Sequence, residues 1–305
     1  MGSGDIERVL VVGAGTMGQQ IALQCAIHGY DVHLYDVAEA SLEAANQQIL
    51  QYIAQLRFGE RLSREEAAAS RERIATFSDA AEAAAGVDLI SESIPEEPEL
   101  KGEVFGQFDT LCAPHTLFTT NTSTLAPSDF AEATGRPAHF AALHFHPPVW
   151  YANVVDVMPH PGTASETMRR LEAFARSIGQ IPLVLEKESP GYVFNAMLQP
   201  ILDTALRLAA DEVAPLEDID RAWMGITKMP VGPFGMMDRI GIDLVHHITE
   251  RNLGPMAKFP QGRKTLDFLQ AYVDRGELGV KTGRGFYDYP RAAYQQTGFV
   301  DGDQE

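Results

Sequence analysis

The fold of this chain is decided by residues 9–18, which read Val9-Leu10-Val11-Val12-Gly13-Ala14-Gly15-Thr16-Met17-Gly18. The four leading apolar residues predict a parallel strand that is covered on both faces. They run into a Gly-x-Gly-x-x-Gly turn, which apolar residues at helical spacing follow. In this context the first two glycines permit a tight turn and close approach of the backbone to a pyrophosphate, and the third lets the helix pack on the sheet. The helix N-terminus would then face the phosphates.

An acidic residue at the end of the next predicted strand completes this pattern. That strand, residues 32–35, ends on Asp36, which lies 18 residues after Gly18. A carboxylate there accepts both ribose hydroxyls and repels a 2′-phosphate, so the pattern favours NAD over NADP. A glycine turn in an ordinary βαβ unit is the alternative. The cofactor-binding residues predicted from this stretch are Gly13, Gly15, Thr16, Met17, Gly18 and Asp36.

Length, composition and charge restrict the class of protein. The 305 residues are 45% apolar, which suffices for about two domains, and the formal net charge is −18. This acidity argues against a nucleic-acid partner, because phosphate binding needs cations. Only Cys25 and Cys112 are present, and no signal segment or bilayer-spanning apolar run is visible. We therefore expect a cytoplasmic protein with no membrane partner.

We predict an α/β fold with a doubly wound, Rossmann-type parallel sheet over residues 1–188 and an all-helical C-terminal domain over residues 189–290. Ser189-Pro190 resembles a helix N-terminus, so a long helix should begin there and kink at Pro200. Its broad apolar surface indicates a buried core or a subunit interface, and hence a homodimer. Residues 291–305 are polar and non-periodic, and we expect them to form a flexible tail.

A predicted helical pair interrupts the alternation of strands and helices. Residues 39–55 have apolar positions at helical spacing, and Ser63-Arg64-Glu65-Glu66 carries the signature of a capping box. The pair could be a solvated appendage. Alternatively, it could supply the local positive charge that an acidic protein needs to bind a phosphorylated ligand, through Arg57, Arg61 and Arg64.

A carboxylate and an imidazole lie within strand-like apolar runs in the middle of the chain. Asp156 sits in Val154-Val155-Asp156-Val157-Met158, where an ionised carboxylate is costly to bury without a partner. His144 is the natural partner, and a carboxylate that orients an imidazole is a general-base arrangement. The opposite charge should raise the pKa of His144. A satisfied core histidine beside a strand-end aspartate is the alternative.

Two further features surround this pair. His146 would share the face of His144 if the strand continued to it, because side chains alternate along a strand. Glu96 and Lys101 follow the predicted strand 87–90, at the edge where doubly wound sheets bind ligands. A surface ion pair is the alternative for the last two residues.

From Val9 to about Tyr289 the chain resembles the L-3-hydroxyacyl-CoA dehydrogenase family. That family carries the dinucleotide fingerprint, then Asn-Thr-Ser, then His-Phe-Phe-Asn-Pro, then Val-Glu-Val. The similar stretches here are Asn121-Thr122-Ser123, His144-Phe145-His146-Pro147, Val155-Asp156-Val157, Pro190-Gly191-Tyr192-Val193-Phe194-Asn195, Pro230-Val231-Gly232-Pro233-Phe234 and Lys281-Thr282-Gly283-Arg284-Gly285-Phe286-Tyr287.

The resemblance implies a role for each matching site residue. His144 would be the catalytic base and Asp156 its acidic partner. Ser123 and Asn195 would contact the reacting oxygen. Three further residues would bind the cofactor. Glu96 and Lys101 would do so at its nicotinamide end, and the third residue is Asn121.

Three positions depart from the family pattern. Asp156 stands where the family usually has glutamate and is one methylene shorter, so either the backbone approaches or the pair is looser. Pro147 replaces an asparagine that would help to position the substrate, and His146 replaces an aromatic residue. These departures concern the acyl-CoA substrate more than the redox chemistry.

The function implied by the resemblance is reversible, NAD-dependent oxidation of a short-chain L-3-hydroxyacyl-CoA, as in fatty acid metabolism, with an acyl-CoA as the small-molecule partner and no metal. One alternative is a dehydrogenase of a free hydroxy acid, as in the L-gulonate 3-dehydrogenase and lambda-crystallin relatives. Another is a non-catalytic, NAD-binding structural protein. Retention of Ser123, His144 and Asn195 speaks against the last, because such a protein has no need of all three polar groups.

Overall fold

A computed structural model describes residues 6–301 and divides the chain into two compact units, with the division between Val193 and Phe194. The described part of unit 1 contains eight strands and six α-helices. In chain order these are β1 (Arg8–Val12), α1 (Thr16–Ile27), β2 (Asp31–Tyr35), α2 (Glu39–Phe58), α3 (Arg64–Glu72), β3 (Ile74–Phe77), α4 (Ala80–Ala84), β4 (Leu89–Glu92), α5 (Pro98–Leu111), β5 (Leu117–Thr120), β6 (Phe140–Phe145), β7 (Val154–Met158), α6 (Ser165–Ser177) and β8 (Ile181–Val184).

The eight strands form one sheet in the order β3-β2-β1-β4-β5-β6-β7-β8. Neighbouring strands are parallel except for β6 and β7, which are antiparallel. Apolar clusters cover both faces: Val9 and Val11 belong to one cluster, and Leu10 and Val12 to the other. The predicted doubly wound, Rossmann-type sheet is therefore confirmed, and its two-sided burial explains the unbroken apolar sequence of β1.

Helices α2 and α3 pack on this core. Their buried residues, among them Ile49, Ile53 and Ala67, belong to the same apolar cluster as Val9 and Val11. The predicted capping box is present, because the Ser63 hydroxyl accepts the Glu66 N–H and the Glu66 carboxylate accepts the Ser63 N–H. A solvated appendage is therefore the wrong interpretation of this helical pair.

The described part of unit 2 is helical, as expected. Its α-helices are α7 (Phe194–Ala210), α8 (Leu216–Thr227), α9 (Pro233–Ile240), α10 (Ile242–Leu253) and α11 (Pro260–Asp274). The prediction that α7 begins at Ser189-Pro190 is wrong. Gly191 and Tyr192 have φ values of 75° and 55°, which a right-handed helix cannot contain, so residues 189–193 form a turn instead.

Two buried carboxylates organise unit 2. Asp220 accepts the backbone N–H groups of Phe234 and Gly235, at the start of α9, at 2.8 and 3.0 Å. Asp238 accepts those of Phe286 and Tyr287, both at 2.9 Å. Burial raises the pKa of Asp220 to about 6. The stretches 230–234 and 281–287 therefore supply backbone N–H groups that satisfy the buried carboxylates of Asp220 and Asp238.

The expected flexible tail over residues 291–305 is corrected by the structure. Ala292, Tyr294 and Phe299 are buried in the apolar cluster of unit 2, and Arg221 donates to the Phe299 carbonyl at 2.7 Å. Their spacing matches neither a helix nor a strand, so a search for periodicity does not find them. Residues 302–305 lie outside the described part of the chain.

Two smaller expectations concern cysteines and membranes. Cys25 and Cys112 are both free and buried. Among the described residues, no helix combines the length and the apolarity needed to cross a bilayer.

Candidate active site

The pairing of β6 with β7 brings the predicted imidazole and carboxylate together. In the antiparallel register His144 lies directly opposite Asp156. Side chains of directly opposed residues start within about 5.5 Å of each other, so a short acid can reach the ring. His144 Nδ1 is 3.1 Å from Asp156 Oδ2, and the two residues are 3% and 0% exposed. The shorter acid therefore reaches the ring at hydrogen-bond distance.

The other ring nitrogen of His144 faces Ser123. His144 Nε2 lies 3.0 Å from Ser123 Oγ, and Ser123 is exposed. Burial lowers the pKa of His144 below its ordinary value of 6.5, and the positive charge that His146 can carry lowers it further. These effects outweigh the hydrogen bond and negative charge of Asp156, which raise it. The predicted rise in the pKa of His144 is therefore wrong, because the strand that supplies the partner also removes the ring from water.

His146 joins the pair through the same oxygen. Its Nε2 lies 3.0 Å from Asp156 Oδ2, and its ring meets the His144 ring edge-on with centroids 4.6 Å apart. Asp156 Oδ1 is buried and makes no hydrogen bond within the described part of the chain. One ligand atom from each of the three side chains lies within 4.8 Å of the others, a spacing that could also suit a metal ion. Hydrogen bonds to Asp156 already satisfy His144 Nδ1 and His146 Nε2, so the geometry does not require a metal.

Tyr192 completes the surroundings of the His144 ring, and sequence reasoning did not single it out. The two rings stack with centroids 4.4 Å apart and planes 6° apart, and Tyr192 OH donates to the Thr122 carbonyl at 2.6 Å. Burial raises the pKa of Tyr192 strongly, so its phenol stays neutral. Its positive φ is a strained conformation for a non-glycine residue. The signal available in the sequence was Gly191 before an aromatic residue in a motif already noted.

The loop that carries Ser123 is held by Glu96. Glu96 Oε1 accepts the N–H groups of Ser123 and Thr124 at 2.9 and 3.0 Å, and it also accepts the Thr122 hydroxyl. Partial burial opposes ionisation of Glu96, but the hydrogen bonds and the charge of Lys101 outweigh it and lower the pKa of Glu96. Glu96 is therefore ionised, and its carboxylate fixes the backbone around Ser123.

Lys101 is fully buried beneath this loop. Its Nζ lies 2.6 Å from Glu92 Oε1 and 3.3 Å from Glu96 Oε2. Glu92 has no exposed surface and also accepts the Thr120 hydroxyl at 2.6 Å. A lone carboxylate at the end of the buried strand β4 was the signal for Glu92, which sequence reasoning passed over. In this structure Lys101 contacts carboxylates and the Ile94 carbonyl, and it holds the Glu96 loop from below.

Asn121 links two strands at the same edge of the sheet. It follows β5, and its side-chain oxygen accepts the N–H of Phe145 at the end of β6 at 2.8 Å. This contact fixes the strand end next to His144. Asn195 is the second residue of α7 in unit 2.

The glycine-rich turn has the geometry expected of a dinucleotide fingerprint. Gly13 has φ +102°, and a Cβ there would lie 2.6 Å from the Ser93 carbonyl oxygen. A Cβ on Gly18 would lie 1.8 Å from the Gly13 carbonyl oxygen. A Cβ on Gly15 would meet no atom within 4 Å, so packing does not require this glycine. The open space at Gly15 would let a pyrophosphate approach the start of α1, where Thr16 and Met17 lie.

Asp36 lies at the end of β2 beside this turn. Its Oδ2 accepts the Ala14 N–H at 2.9 Å, and its Oδ1 accepts the Ala38 N–H at 3.0 Å. The carboxylate is half-buried, which leaves it accessible to a ribose. These residues fit an NAD molecule bound at the carboxyl ends of β1 and β2.

Comparison with known proteins supports the same assignment. Residues 8–189 match the model of the NAD-binding domain of 3-hydroxyacyl-CoA dehydrogenase, and residues 191–289 match that of its C-terminal domain. The human mitochondrial hydroxyacyl-coenzyme A dehydrogenase is 35% identical over 289 residues, which cover 93% of this chain and 91% of the relative.

Two solved structures are similar to nearly the whole chain. A diketoreductase, described as acting on dicarbonyl compounds, is 36% identical with a TM-score of 0.85, and the match covers 93% of this chain and 99% of the other. An (S)-3-hydroxybutyryl-CoA dehydrogenase from Ralstonia eutropha is 29% identical with a TM-score of 0.84, covering 94% and 100%.

Fold, fingerprint and matched domains together define an NAD-dependent dehydrogenase that acts on a CH–OH group. The chain belongs to the 3-hydroxyacyl-CoA dehydrogenase family. The expected family, enzyme class and cofactor are thereby confirmed.

The first prediction concerns Asp36. Asp36→Asn should narrow the preference for NADH over NADPH by about tenfold or more, because it removes the charge that repels a 2′-phosphate while leaving an acceptor for the Ala14 N–H. The measurement is kcat/KM with each cofactor. Asp31→Asn, on the same strand, is the control and should leave the ratio unchanged. Equal use of both cofactors by the wild-type protein would contradict the assignment.

Proposed function

We propose that the protein reversibly oxidises the hydroxyl of a short-chain L-3-hydroxyacyl-CoA, with His144 and Asp156 as its catalytic dyad. One observation carries this proposal: the two nitrogens of a buried imidazole face a buried carboxylate on one side and an exposed hydroxyl on the other. A general base needs this arrangement, since one nitrogen must be held while the other receives a proton.

The contacts of His144 assign its tautomer. Asp156 is an acceptor, so Nδ1 carries the hydrogen and Nε2 keeps its lone pair. The substrate hydroxyl would donate to Nε2 from the side where Ser123 Oγ lies, and Ser123 would also hold the reacting oxygen. The glycine-rich turn and Asp36 would hold NAD, which would supply the acceptor for the hydride of the carbinol carbon. His144 takes the proton from oxygen, and Asp156 stabilises the resulting imidazolium.

The lowered pKa of His144 suits the oxidative direction. A neutral ring is ready to accept a proton at neutral pH, because burial already disfavours the imidazolium. In reduction His144 must instead start protonated and donate to the carbonyl oxygen. The rate of oxidation should therefore rise with pH through a pKa below 6.5 and then stay constant, while the rate of reduction should fall over the same range.

The neighbouring residues have supporting roles in this proposal. Glu96 and Lys101 keep the loop of Ser123 in place, and the family resemblance implies that they would lie at the nicotinamide end of the cofactor. Asn121 holds the strand that carries His144 and borders the cofactor site. The family resemblance implies that Asn195 would be a second group on the reacting oxygen.

Support for a CoA substrate comes from the relatives and from charge. Two of the similar proteins are named as dehydrogenases of CoA thioesters. CoA carries phosphates, and on a chain of net charge −18 they need local cations. Arg57, Arg61 and Arg64 are exposed at the turn between α2 and α3, and Arg61 lies over the Tyr151 ring at 4.3 Å. A free dicarbonyl or hydroxy acid is the second candidate, favoured by the likeness to diketoreductase.

The second prediction tests the base. His144→Ala should lower kcat by about 10²- to 10⁴-fold, the usual contribution of a general base, with little change in the NADH dissociation constant. Asp156→Asn should lose less, because the ring remains but is poorly held. His115→Ala, an exposed histidine 3.6 Å from Asp88, is the control and should keep full activity. Near-normal turnover by His144→Ala would overturn the assignment.

The third prediction separates the two substrate candidates. Wild-type protein with NADH should have a higher kcat/KM for acetoacetyl-CoA than for free acetoacetate. Arg57→Ala/Arg64→Ala should raise KM for acetoacetyl-CoA by about fivefold, as expected from two exposed ion pairs, without affecting kcat or turnover of acetoacetate. Arg61 stays in place because it donates to the Trp150 carbonyl. Arg169→Ala is the control. Faster turnover of acetoacetate would favour the second candidate.

The fourth prediction concerns assembly. We propose a homodimer formed largely by unit 2, because α7 leaves Phe194 and Met197 52% and 60% exposed. Light scattering at micromolar protein should give about twice the 33.4 kDa chain mass. Met197→Asp should shift the mass toward one chain. Leu50, on α2, is 52% exposed, and Leu50→Asp should not shift the mass. A wild-type mass of one chain would refute the dimer.

Cytoplasmic location stays a prediction, consistent with the two free thiols.

A further inference from the structure

We infer that His146 is a positioning residue for the catalytic dyad, because its Nε2 and the Nδ1 of His144 approach one and the same oxygen of the buried Asp156 carboxylate. The two distances are 3.0 and 3.1 Å. This inference rests on the proposed roles of His144 and Asp156, and it adds a third member whose loss has its own signature.

The strand geometry explains why His146 reaches this oxygen. His144 faces Asp156 directly across the β6–β7 pair, and His146 lies two residues further on, just past the end of β6. Residues two apart on a strand share a face, and a diagonal neighbour on the opposite strand is within reach of a long ring. The side chain of His146 is 18% exposed, whereas that of Asp156 is fully buried.

The second hydrogen bond restrains the carboxylate. A contact with His144 alone would leave the carboxylate of Asp156 free to rotate, because its Oδ1 makes no hydrogen bond among the described residues. A donor at Nε2 of His146 approaches Oδ2 from a second direction and removes that freedom. Aromatic packing alone would not place a ring nitrogen 3.0 Å from a carboxylate with no exposed surface.

The same contact affects the proton affinity of His144. The N–H groups of His144 and His146 share the negative charge of Asp156 Oδ2. The carboxylate therefore stabilises the imidazolium of His144 less than it would if His144 were its only donor. A positive charge on His146 acts in the same direction and lowers the pKa of His144. The other groups that face the His144 ring are Ser123 at Nε2, the neutral Tyr192 stacked on its face, and Glu96, whose charge raises its pKa. His146 is therefore expected to help keep His144 neutral.

Two substitutions separate positioning from packing. His146→Phe keeps a flat ring but removes the donor and the charge. His146→Gln keeps an N–H donor of similar reach but cannot become charged. His115→Phe removes a histidine that also faces a carboxylate, outside the site, and serves as the matched control. Each protein is assayed after treatment with a chelator, and its melting temperature is measured.

The fifth prediction is the pattern across these variants. His146→Phe should lower kcat of oxidation about tenfold, because the carboxylate and then the base lose their orientation. It should also move the decrease in kcat/KM at low pH upward by about half a unit to one unit, since the pKa of His144 rises. His146→Gln should restore kcat to within about threefold of wild type and still show part of the pH shift. His115→Phe should change neither.

Each other outcome overturns the inference. Wild-type kcat and pH profile for a folded His146→Phe would show that His146 positions nothing. Equal losses in both His146 variants, with lowered melting temperatures and no pH shift, would show a packing role only. Activity that is lost on chelation and restored by Zn²⁺ would show that the three side chains hold a metal instead. Failure of the proposed function is distinct, because it appears as retained turnover in His144→Ala.

Discussion

Asp156 has no exposed surface, and the charge of its carboxylate is met by two imidazole nitrogens at a single oxygen. An ionised carboxylate removed from water is stable only with such donors, and removing one of them leaves the charge uncompensated. The register of β6 and β7 places Asp156 opposite His144. A one-residue slip would turn Asp156 to the opposite face of the sheet and leave its charge without this partner, so the buried charge also favours the observed register. The geometry of the His144–Asp156 pair and the pairing of these strands are therefore one constraint.

A second charge cluster, centred on the buried Lys101, supports the loop that carries Ser123. Lys101 is held by Glu92 and Glu96, and Glu96 in turn holds the loop that presents Ser123 to His144. A buried ion pair contributes little net stability unless its remaining donors and acceptors are satisfied. Here the Thr120 and Thr122 hydroxyls satisfy the two carboxylates. The benefit of the cluster is a defined loop, so a polar network in the core serves the rigidity of the site.

The sequence predicts those features that are local or paired by simple rules. The fingerprint from Val9 to Gly18 and the capping box at Ser63 follow from composition and spacing within a few residues, and both are found. Features that depend on tertiary burial were missed. The sign of the pKa shift at His144 required knowing that desolvation outweighs the charge of Asp156. The turn at Gly191 and Tyr192 lies where Ser189-Pro190 and the apolar spacing predict a helix, because that spacing carries no information on the sign of φ.

The stretches that resemble the family separate into two physical classes. Those around Ser123, His144 and Asp156 carry polar side chains that face one another, with His144 and Asp156 buried and Ser123 exposed. Those at 230–234 and 281–287 supply backbone N–H groups to buried aspartates in unit 2, where a Cβ on Gly232 would lie 2.3 Å from the Asp220 carboxyl carbon. Only the first class bears on the proposed reaction, because the second serves hydrogen bonding within unit 2. The departures at His146, Pro147 and Asp156 all fall in the first class. The departures from the family pattern therefore lie around His144 and Asp156, and not in the stretches that supply N–H groups within unit 2.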